Sequence, residues 1–222
     1  MPFFKSTIGR KIVMAVTGFM MVLFVVGHVI GNSTIYFGLL NAYAEHLHAL
    51  PPLIWLFRFF MFLMFSFHLL FGVQLTLENR AAKPEGYVMK KNLRATFASK
   101  NMIWTGLIIA AFLIYHLLHF TFQITNPEIS SDRHLDVLGR PDVVKMVVFS
   151  FRNFFISSLY IGSMVVLAFH LTHGIQSFFQ TSGLNNDRTF PAFTKAGTLA
   201  AVILSLGYIA IPVLIVTRIV KG

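Results

Sequence analysis

The chain contains no cysteine, and only 12% of its 222 residues are charged. Without cysteine it can form no disulfide, hold no iron–sulfur cluster and attach no haem covalently through a CxxCH motif. An average soluble domain is about 25% charged, so the low charge argues against a soluble fold. Any redox role of this chain must use histidine side chains and electrons supplied from elsewhere.

Apolar residues dominate instead, at 56% of the chain with 25 Phe. Five apolar runs are each long enough, at roughly 20 residues, to cross the hydrocarbon core of a bilayer. These runs, called spans 1 to 5, lie at about 12–31, 53–77, 102–124, 154–180 and 196–218. Strand-like alternation is absent, and a backbone in lipid then requires helices. The sequence predicts one all-α domain, residues 1–222, forming an integral membrane bundle of five transmembrane helices.

Basic residues are distributed unevenly between the connecting segments. Six of the 18 Lys and Arg residues fall in the segment 78–101, whereas the segment 32–52 has none. The positive-inside rule therefore predicts a cytoplasmic N-terminus and 78–101 loop, an outside C-terminus, and a location in the cell inner membrane. The net charge of +10 lies at helix ends and in short loops, which favours a membrane surface or an acidic partner subunit over nucleic acid.

Six of the nine histidines lie inside spans: His28, His68, His116, His119, His170 and His173. Ionisable residues in a bilayer are costly and usually face the bundle interior, so each of them is a candidate functional residue. The alternative for each is an interhelical hydrogen bond. His46, His48 and His134 lie in loops and are interpreted as surface histidines.

An internal two-helix repeat separates these histidines into two groups. Thr17-Gly18 precedes His28 by the same spacing that separates Thr105-Gly106 from His116. Span 2 reads "HLLFGVQ" from His68, and span 4 reads "HLTHGIQ" from His170. Spans 1 and 2 thus resemble spans 3 and 4, and the alignment selects His28, His116, His68 and His170 over His119 and His173 as metal ligands.

Depth along the helices groups the four selected histidines. With a rise of about 1.5 Å per residue, His28 and His116 lie about 22–25 Å from the cytoplasmic end, and His68 and His170 about 15 Å from it. Two level pairs of neutral imidazoles suit two six-coordinate b-type haems. The matched glycines Gly18, Gly72, Gly106 and Gly174 would admit a flat macrocycle, or simply allow close helix packing. Metal or ion transport is disfavoured because the spans hold no Asp, Glu or Cys.

Four further residues are candidates for contacts with a cofactor. His119 and His173 each lie three residues after a proposed ligand, where they could bind a haem propionate or a quinone oxygen, or bond to a neighbouring helix. Arg58 and Arg152 lie near the outer ends of spans 2 and 4, where each could pair with a propionate of the outer haem or extend to the membrane interface.

The motifs "TGFMMVLFVVGHVIGN", "FHLLFGVQL", "TGLIIAAFLIYHLLHF" and "FHLTHGIQSFFQTSGLN" occur in this order. With them the chain resembles the dihaem cytochrome b subunit of succinate:quinone oxidoreductases and quinol:fumarate reductases. The resemblance covers nearly the whole chain, and it is most specific in the order and spacing of the four histidines.

The resemblance implies a membrane anchor for a flavoprotein subunit and an iron–sulfur subunit on the cytoplasmic side. Two haems b would pass electrons to or from a membrane quinone, and the dihaem type points to menaquinone. His28 and His116 would hold the outer haem, and His68 and His170 the inner one. Glu45 resembles a carboxylate that some members place near the quinone site, but a surface glutamate is the alternative.

Two other functions fit the same sequence. The chain could be the haem b subunit of another membrane dehydrogenase, such as a hydrogenase or formate dehydrogenase, or a structural anchor whose histidines bind nothing.

Overall fold

The computed structural model describes residues 4, 6–82, 97–184 and 186–221, and the structural statements below concern that part of the chain. It contains eight α-helices: α1 (Thr7–Ser33), α2 (Leu40–His48), α3 (Pro51–Ala81), α4 (Phe97–Lys100), α5 (Met102–His116), α6 (Val143–Arg152), α7 (Phe154–Thr181) and α8 (Phe190–Val216). Lys83, Lys90, Lys91 and Arg94 of the predicted cytoplasmic loop lie outside the described residues, as does Asn185.

Five of these helical segments are long and apolar enough to cross a membrane, which confirms the predicted all-α class and the number of spans. They are Thr7–Phe37, Pro51–Ala81, Met102–Thr121, Phe154–Thr181 and Phe190–Val216. At most 33% of the most apolar window of any span is buried inside the protein. Most apolar side chains of the spans therefore face outward, as expected of a thin bundle in lipid.

Short polar residues set several of the helix starts. The Ser6 hydroxyl accepts a hydrogen bond from the amide of Gly9 at 3.0 Å and so begins α1. Asn153 accepts from the amides of Phe155 and Ile156 and begins α7. Such caps satisfy amides that have no partner within the helix. The α1 helix therefore begins before the predicted span, because the capped basic turn extends beyond the apolar run.

Four of the membrane helices form a square. Around it, α1 packs on α3, α3 on α5, α5 on α7, and α7 on α1. The diagonal pairs, α1 with α5 and α3 with α7, are not among the helix pairs that pack extensively in the described structure. Side chains from diagonal helices thus meet on the axis of the bundle.

The fifth membrane helix, α8, packs outside this square against α7 and α1. The Tyr208 hydroxyl donates a 2.7 Å hydrogen bond to the Val25 carbonyl, which ties α8 to the middle of α1. A Cβ on Gly197 would lie 3.1 Å from Cγ2 of Ile175, so the absence of a side chain there lets α8 approach α7 closely.

The two ends of the bundle differ. The N-terminal end is formed by the starts of α1, α5 and α8 and by the ends of α3 and α7. The opposite end, called the far end, carries α2, two short turns over Pro127–Arg133, and α6. The α6 helix lies in a segment that the sequence analysis took as a loop; its ten residues are too few to span a bilayer. Its side chains Met146, Val147, Val148 and Phe151 are buried in the core at this end.

One buried amide ties α2 to the start of α6. Asn41 is 7% exposed, and its Oδ1 accepts a 2.9 Å hydrogen bond from the amide of Val144. Its Nδ2 lies 3.2 Å from a carboxylate oxygen of Asp136 and 3.1 Å from one of Asp142. Asp136 also forms a salt bridge, with its Oδ2 2.7 Å from Nη2 of the Arg140 guanidinium. Hydrogen bonds from the Arg140 side chain lower the pKa of the Asp136 carboxyl below its usual range.

Span 3 ends earlier than predicted. The α-helix α5 ends at His116, and a π-helical turn continues to Thr121. Gln123 then takes a positive φ of 54°, and its Oε1 accepts hydrogen bonds from the Ser130 hydroxyl and the Ser131 amide, each at 2.8 Å. The Gln123 side chain thus stabilises the turn that ends the span, which apolar composition alone does not indicate.

Candidate functional site: two pairs of histidines

The inner pair consists of His68 on α3 and His170 on α7. Their ring centroids are 6.3 Å apart, and the ring planes are inclined by 67°. Both residues are half-buried. The two helices face each other across the square, so the rings meet near its axis although their backbones do not pack together.

Two threonines contact these rings in the same way. Thr17 Oγ1 lies 3.4 Å from His68 Nδ1, and Thr105 Oγ1 lies 3.1 Å from His170 Nδ1. Each threonine hydroxyl donates to carbonyls of its own helix, Thr17 to Val13 at 2.8 Å and Thr105 to Met102 at 3.1 Å. With these hydroxyl protons directed at helix carbonyls, the threonine oxygens can accept a hydrogen bond from the imidazole Nδ1.

For His68 a second contact favours the tautomer with the proton on Nδ1. His68 Nδ1 also lies 3.1 Å from the carbonyl oxygen of Met14, which can only accept. With the proton on Nδ1, the lone pair of Nε2 is free. A histidine whose Nδ1–H is held by an oxygen acceptor is oriented for metal binding through Nε2.

Two glycines make room for the inner rings. A Cβ on Gly18 would lie 3.0 Å from Cε1 of His68, and one on Gly106 would lie 3.3 Å from Cε1 of His170. Both distances are shorter than ordinary carbon contacts of about 3.5–4.0 Å. Gly72 and Gly174 differ, since a Cβ on Gly174 would meet nothing within 4 Å and one on Gly72 only Met14 Sδ at 3.9 Å.

The outer pair consists of His28 on α1 and His116 on α5. Their ring centroids are 5.9 Å apart, and the ring planes are inclined by 89°. His116 Nδ1 lies 3.4 Å from the Tyr160 hydroxyl, which is the polar partner of this ring. The His28 ring stacks on Phe24 at 5.2 Å, and in the described part of the chain it has no hydrogen-bond partner.

The pairs lie at two levels along the bundle. Thr17 marks the level of the inner pair on α1, and Thr105 marks it on α5. His28 and His116 each follow the corresponding threonine by 11 residues, a rise of about 16 Å. The inner pair is nearer the N-terminal end, and the outer pair is nearer α6 at the far end.

The geometry of each pair fits two axial ligands of one haem iron. Imidazoles on opposite sides of a metal ion, with metal–nitrogen distances of about 2.0 Å, have ring centroids about 6 Å apart. The two observed separations, 6.3 Å and 5.9 Å, both match. Among the described residues, no three His, Asp or Glu side chains come together. Each pair is thus a two-ligand set, which suits a porphyrin because the macrocycle supplies the other four donors.

His119 lies in a different environment from the four paired histidines. It is 3% exposed, and its Nδ1 lies 2.9 Å from the Tyr160 hydroxyl while its Nε2 lies 3.2 Å from the Ser150 hydroxyl. Both ring nitrogens therefore have partners on α6 and α7, the interhelical alternative considered above. His173 is half-buried one turn from His170 towards the N-terminal end, and the structure gives its ring no hydrogen bond within the described segments.

The other candidates lie at the far end. The Arg58 guanidinium lies 5.1 Å over the Trp55 ring and 3.4 Å from Nε2 of His48. Arg152 is exposed at the end of α6. Glu45 is exposed on α2, and its carboxylate lies 3.8 Å from the Arg140 guanidinium, which favours the surface interpretation.

Sequence reasoning missed three contributors to the site. Thr17 and Thr105 were used only to detect the repeat, although they contact the inner rings. Tyr160 was not singled out, and it lies between His116 and His119. Its position becomes apparent only when α5 and α7 are packed together, so no local pattern could have identified it.

Comparison with protein families gives one match. The model of the succinate dehydrogenase/fumarate reductase transmembrane subunit matches residues 76–205, more than half of the chain. The chain belongs to that family. Searches of curated proteins and of solved structures each found no significant match.

The match confirms the coarser part of the sequence resemblance, a transmembrane subunit of succinate dehydrogenase or fumarate reductase. The matched segment begins near the end of α3 and ends within α8. It includes His116 and His170, one member of each pair, whereas His28 and His68 precede it. Family membership and the five apolar helices together make the chain a multi-pass membrane subunit of a succinate dehydrogenase or fumarate reductase.

Proposed function

We propose that this subunit binds two haems b and passes electrons through them between an iron–sulfur subunit and a membrane quinone. The observation that supports the proposal most strongly is the pairing of four histidines from diagonal helices, at separations of 6.3 Å and 5.9 Å. His28 with His116, and His68 with His170, would hold the two haems, which would supply one-electron redox chemistry when bound.

The protein groups around the inner pair are suited to hold such a site rigidly. Thr17, Thr105 and the Met14 carbonyl lie within hydrogen-bond distance of the two Nδ1 atoms, which leaves both Nε2 atoms available to a metal. Oxygen acceptors on the distal ring nitrogen also raise the basicity of the ligand. These contacts limit the rearrangement of the ligands when the charge of the site changes by one electron.

The outer pair has a less polar environment. His116 has Tyr160 as its partner, whereas His28 packs against Phe24 and lies 6.1 Å from the ring of Tyr208. Fewer acceptors around the ligands make the outer iron less electron-rich than the inner one. The two sites are therefore expected to have different reduction potentials.

The proposed orientation follows from the charges at the two ends. By chain order, 11 of the 18 Lys and Arg residues belong to the N-terminal end and seven to the far end, where five of the eight acidic residues accompany them. We therefore assign the N-terminal end to the cytoplasm, together with the docking surface for the iron–sulfur and flavoprotein subunits. The inner pair is then nearer the partner subunits, and the outer pair is nearer the opposite membrane surface.

Quinone, which we take to be menaquinone, completes the proposed electron path at the surface of this subunit. The direction of electron flow follows from the potentials of the quinone and of the partner flavin, which are properties outside this chain.

The experiment that tests the proposal is purification of the complex through a tag on this chain. A reduced-minus-oxidised visible spectrum should show low-spin haem b, and a flavoprotein and an iron–sulfur protein with succinate dehydrogenase or fumarate reductase activity should co-purify. A preparation without haem would contradict the proposal and favour a structural anchor. Co-purification of hydrogenase or formate dehydrogenase subunits would contradict the proposed partners.

A further inference from the structure

Arg10 is a buried cation that neither the repeat nor the four histidines account for. It lies on α1 seven residues before Thr17, and residues seven apart lie on nearly the same face of a helix. Since Thr17 contacts His68, Arg10 is on the side of α1 that faces the bundle interior. The residue is only 8% exposed.

The contacts of Arg10 leave part of its guanidinium without a partner. Nη2 donates a 2.7 Å hydrogen bond to Glu78 Oε2 on α3. Nε is buried and has no hydrogen-bond partner in the described structure. A buried donor without an acceptor costs about 1–3 kcal/mol, and natural proteins rarely leave one in that state. The site therefore calls for a further acceptor.

Glu78 pairs with this cation from a more exposed position. Its side chain is 38% exposed, compared with 10% for that of Arg10. Its other carboxylate oxygen, Oε1, accepts a 3.2 Å hydrogen bond from Gln74 Nε2. The carboxylate is thus shared at the rim of the bundle, while the arginine lies deeper.

The second half of the repeat has no equivalent ion pair. The alignment that matches Thr17 with Thr105 places Ala98 opposite Arg10, and the alignment of His68 with His170 places Gln180 opposite Glu78. Ala98 is buried as Arg10 is. Packing at this position therefore does not require an arginine. The positive charge has a role on the α1–α3 side that the second half of the repeat lacks.

The position of Arg10 relative to the inner pair suggests that role. Arg10 lies about 10 Å along α1 from the Thr17 level, towards the N-terminal end. A bound haem would bring two anionic propionates, and a carboxylate is a strong hydrogen-bond partner for a guanidinium. We propose that Arg10 binds a propionate carboxylate of the inner haem and so positions that haem; this inference rests on the proposed function.

The pairing has a measurable electrostatic consequence. A cation near the haem edge stabilises the reduced state, which carries one more negative charge. Loss of the Arg10 charge should therefore lower the midpoint potential of the inner haem and leave that of the outer haem unchanged. Loss of the Glu78 charge should act in the opposite direction.

Redox titration of the purified complex, with both haems followed by low-temperature EPR, tests the inference. Arg10→Gln should lower the inner midpoint potential, Arg10→Lys should lower it less, and Glu78→Gln should raise it. Lys11→Gln is the matched control, because Lys11 is the neighbouring cation on α1 and is exposed. It should move neither potential appreciably.

The outcomes separate the two proposals. If the wild-type complex has two haems and Arg10→Gln shifts the inner potential no more than Lys11→Gln does, the inference is wrong and the proposed function stands. Equal shifts of both haems, or identical effects of Arg10→Gln and Glu78→Gln, would show a merely structural ion pair. A wild-type complex without haem would refute the proposed function itself. If the Arg10→Gln complex fails to assemble, the other two variants decide. The inference then requires Arg10→Lys to lower the inner midpoint potential and Glu78→Gln to raise it.

Discussion

Replacing Gly18 by alanine should remove the inner haem while keeping the outer one. The added Cβ would lie 3.0 Å from Cε1 and 3.3 Å from Nδ1 of His68. A Cβ contact is ordinary from 3.4 Å, so the ring must retreat by a few tenths of an ångström. Metal–ligand distances tolerate only about 0.2 Å, so this displacement is too large for an undisturbed iron–nitrogen bond.

The same series contains its own graded controls. Gly106→Ala places a Cβ 3.3 Å from Cε1 of His170, so that ring needs to move by only about a tenth of an ångström and a partial loss is expected. Gly27→Ala meets nothing within 4 Å, although Gly27 lies on α1 as Gly18 does. Alanine also favours a helix over glycine by about 1 kcal/mol, so general destabilisation would not explain a loss at Gly18.

The assay is the haem content per chain of the purified complexes together with their low-spin EPR signals. The expected order of inner-haem retention is Gly27→Ala, then Gly106→Ala, then Gly18→Ala, with the outer signal constant throughout. The reasoning is refuted if Gly18→Ala keeps a wild-type inner signal, or if it removes the outer haem, whose ligand His28 lies about 15 Å further along α1.

Three further predictions concern the ligand register, the far end and the orientation. His170→Ala should abolish the inner haem, whereas His173→Ala should keep both haems; EPR and redox titration of the pair check this, and the reverse result would contradict the alignment of span 2 with span 4. Asp136 contributes stability that is complete above its ordinary pKa of 3.8 and is lost as the pH falls through its lowered folded-state pKa. Asp136→Asn should therefore lower the melting temperature at neutral pH and flatten its decline in acid, and an unchanged acid profile would argue against the Arg140 pairing. In this cysteine-free chain, a membrane-impermeant thiol reagent should label Val137→Cys in intact cells but label Lys100→Cys only after permeabilisation, and the opposite pattern would invert the topology.

The sequence was sufficient for the features that depend on composition. Apolar run length predicted all five spans, because lipid imposes the same requirement on each helix separately. The internal repeat selected His68 and His170 as ligands, which stays a prediction. In the structure Thr17 and Thr105 contact the rings of these two histidines at equivalent positions.

Features that depend on contacts between distant segments were not predictable in this way. The Arg10–Glu78 pair joins residues 68 positions apart, and nothing in either local sequence indicates the other. The hydroxyl network around His119 depends on α6, a short helix in a segment taken as a loop. The end of span 3 depends on the Gln123 side chain, whose acceptor role becomes visible only with the turn in place.

The number of haems per chain tests the central claim most directly. A pyridine haemochrome assay of the purified wild-type complex, normalised to the amount of this subunit, should return two haems b per chain, because each of the two histidine pairs is proposed to hold one haem. One haem per chain would contradict the pairing at one of the two levels, and none would contradict the account as a whole.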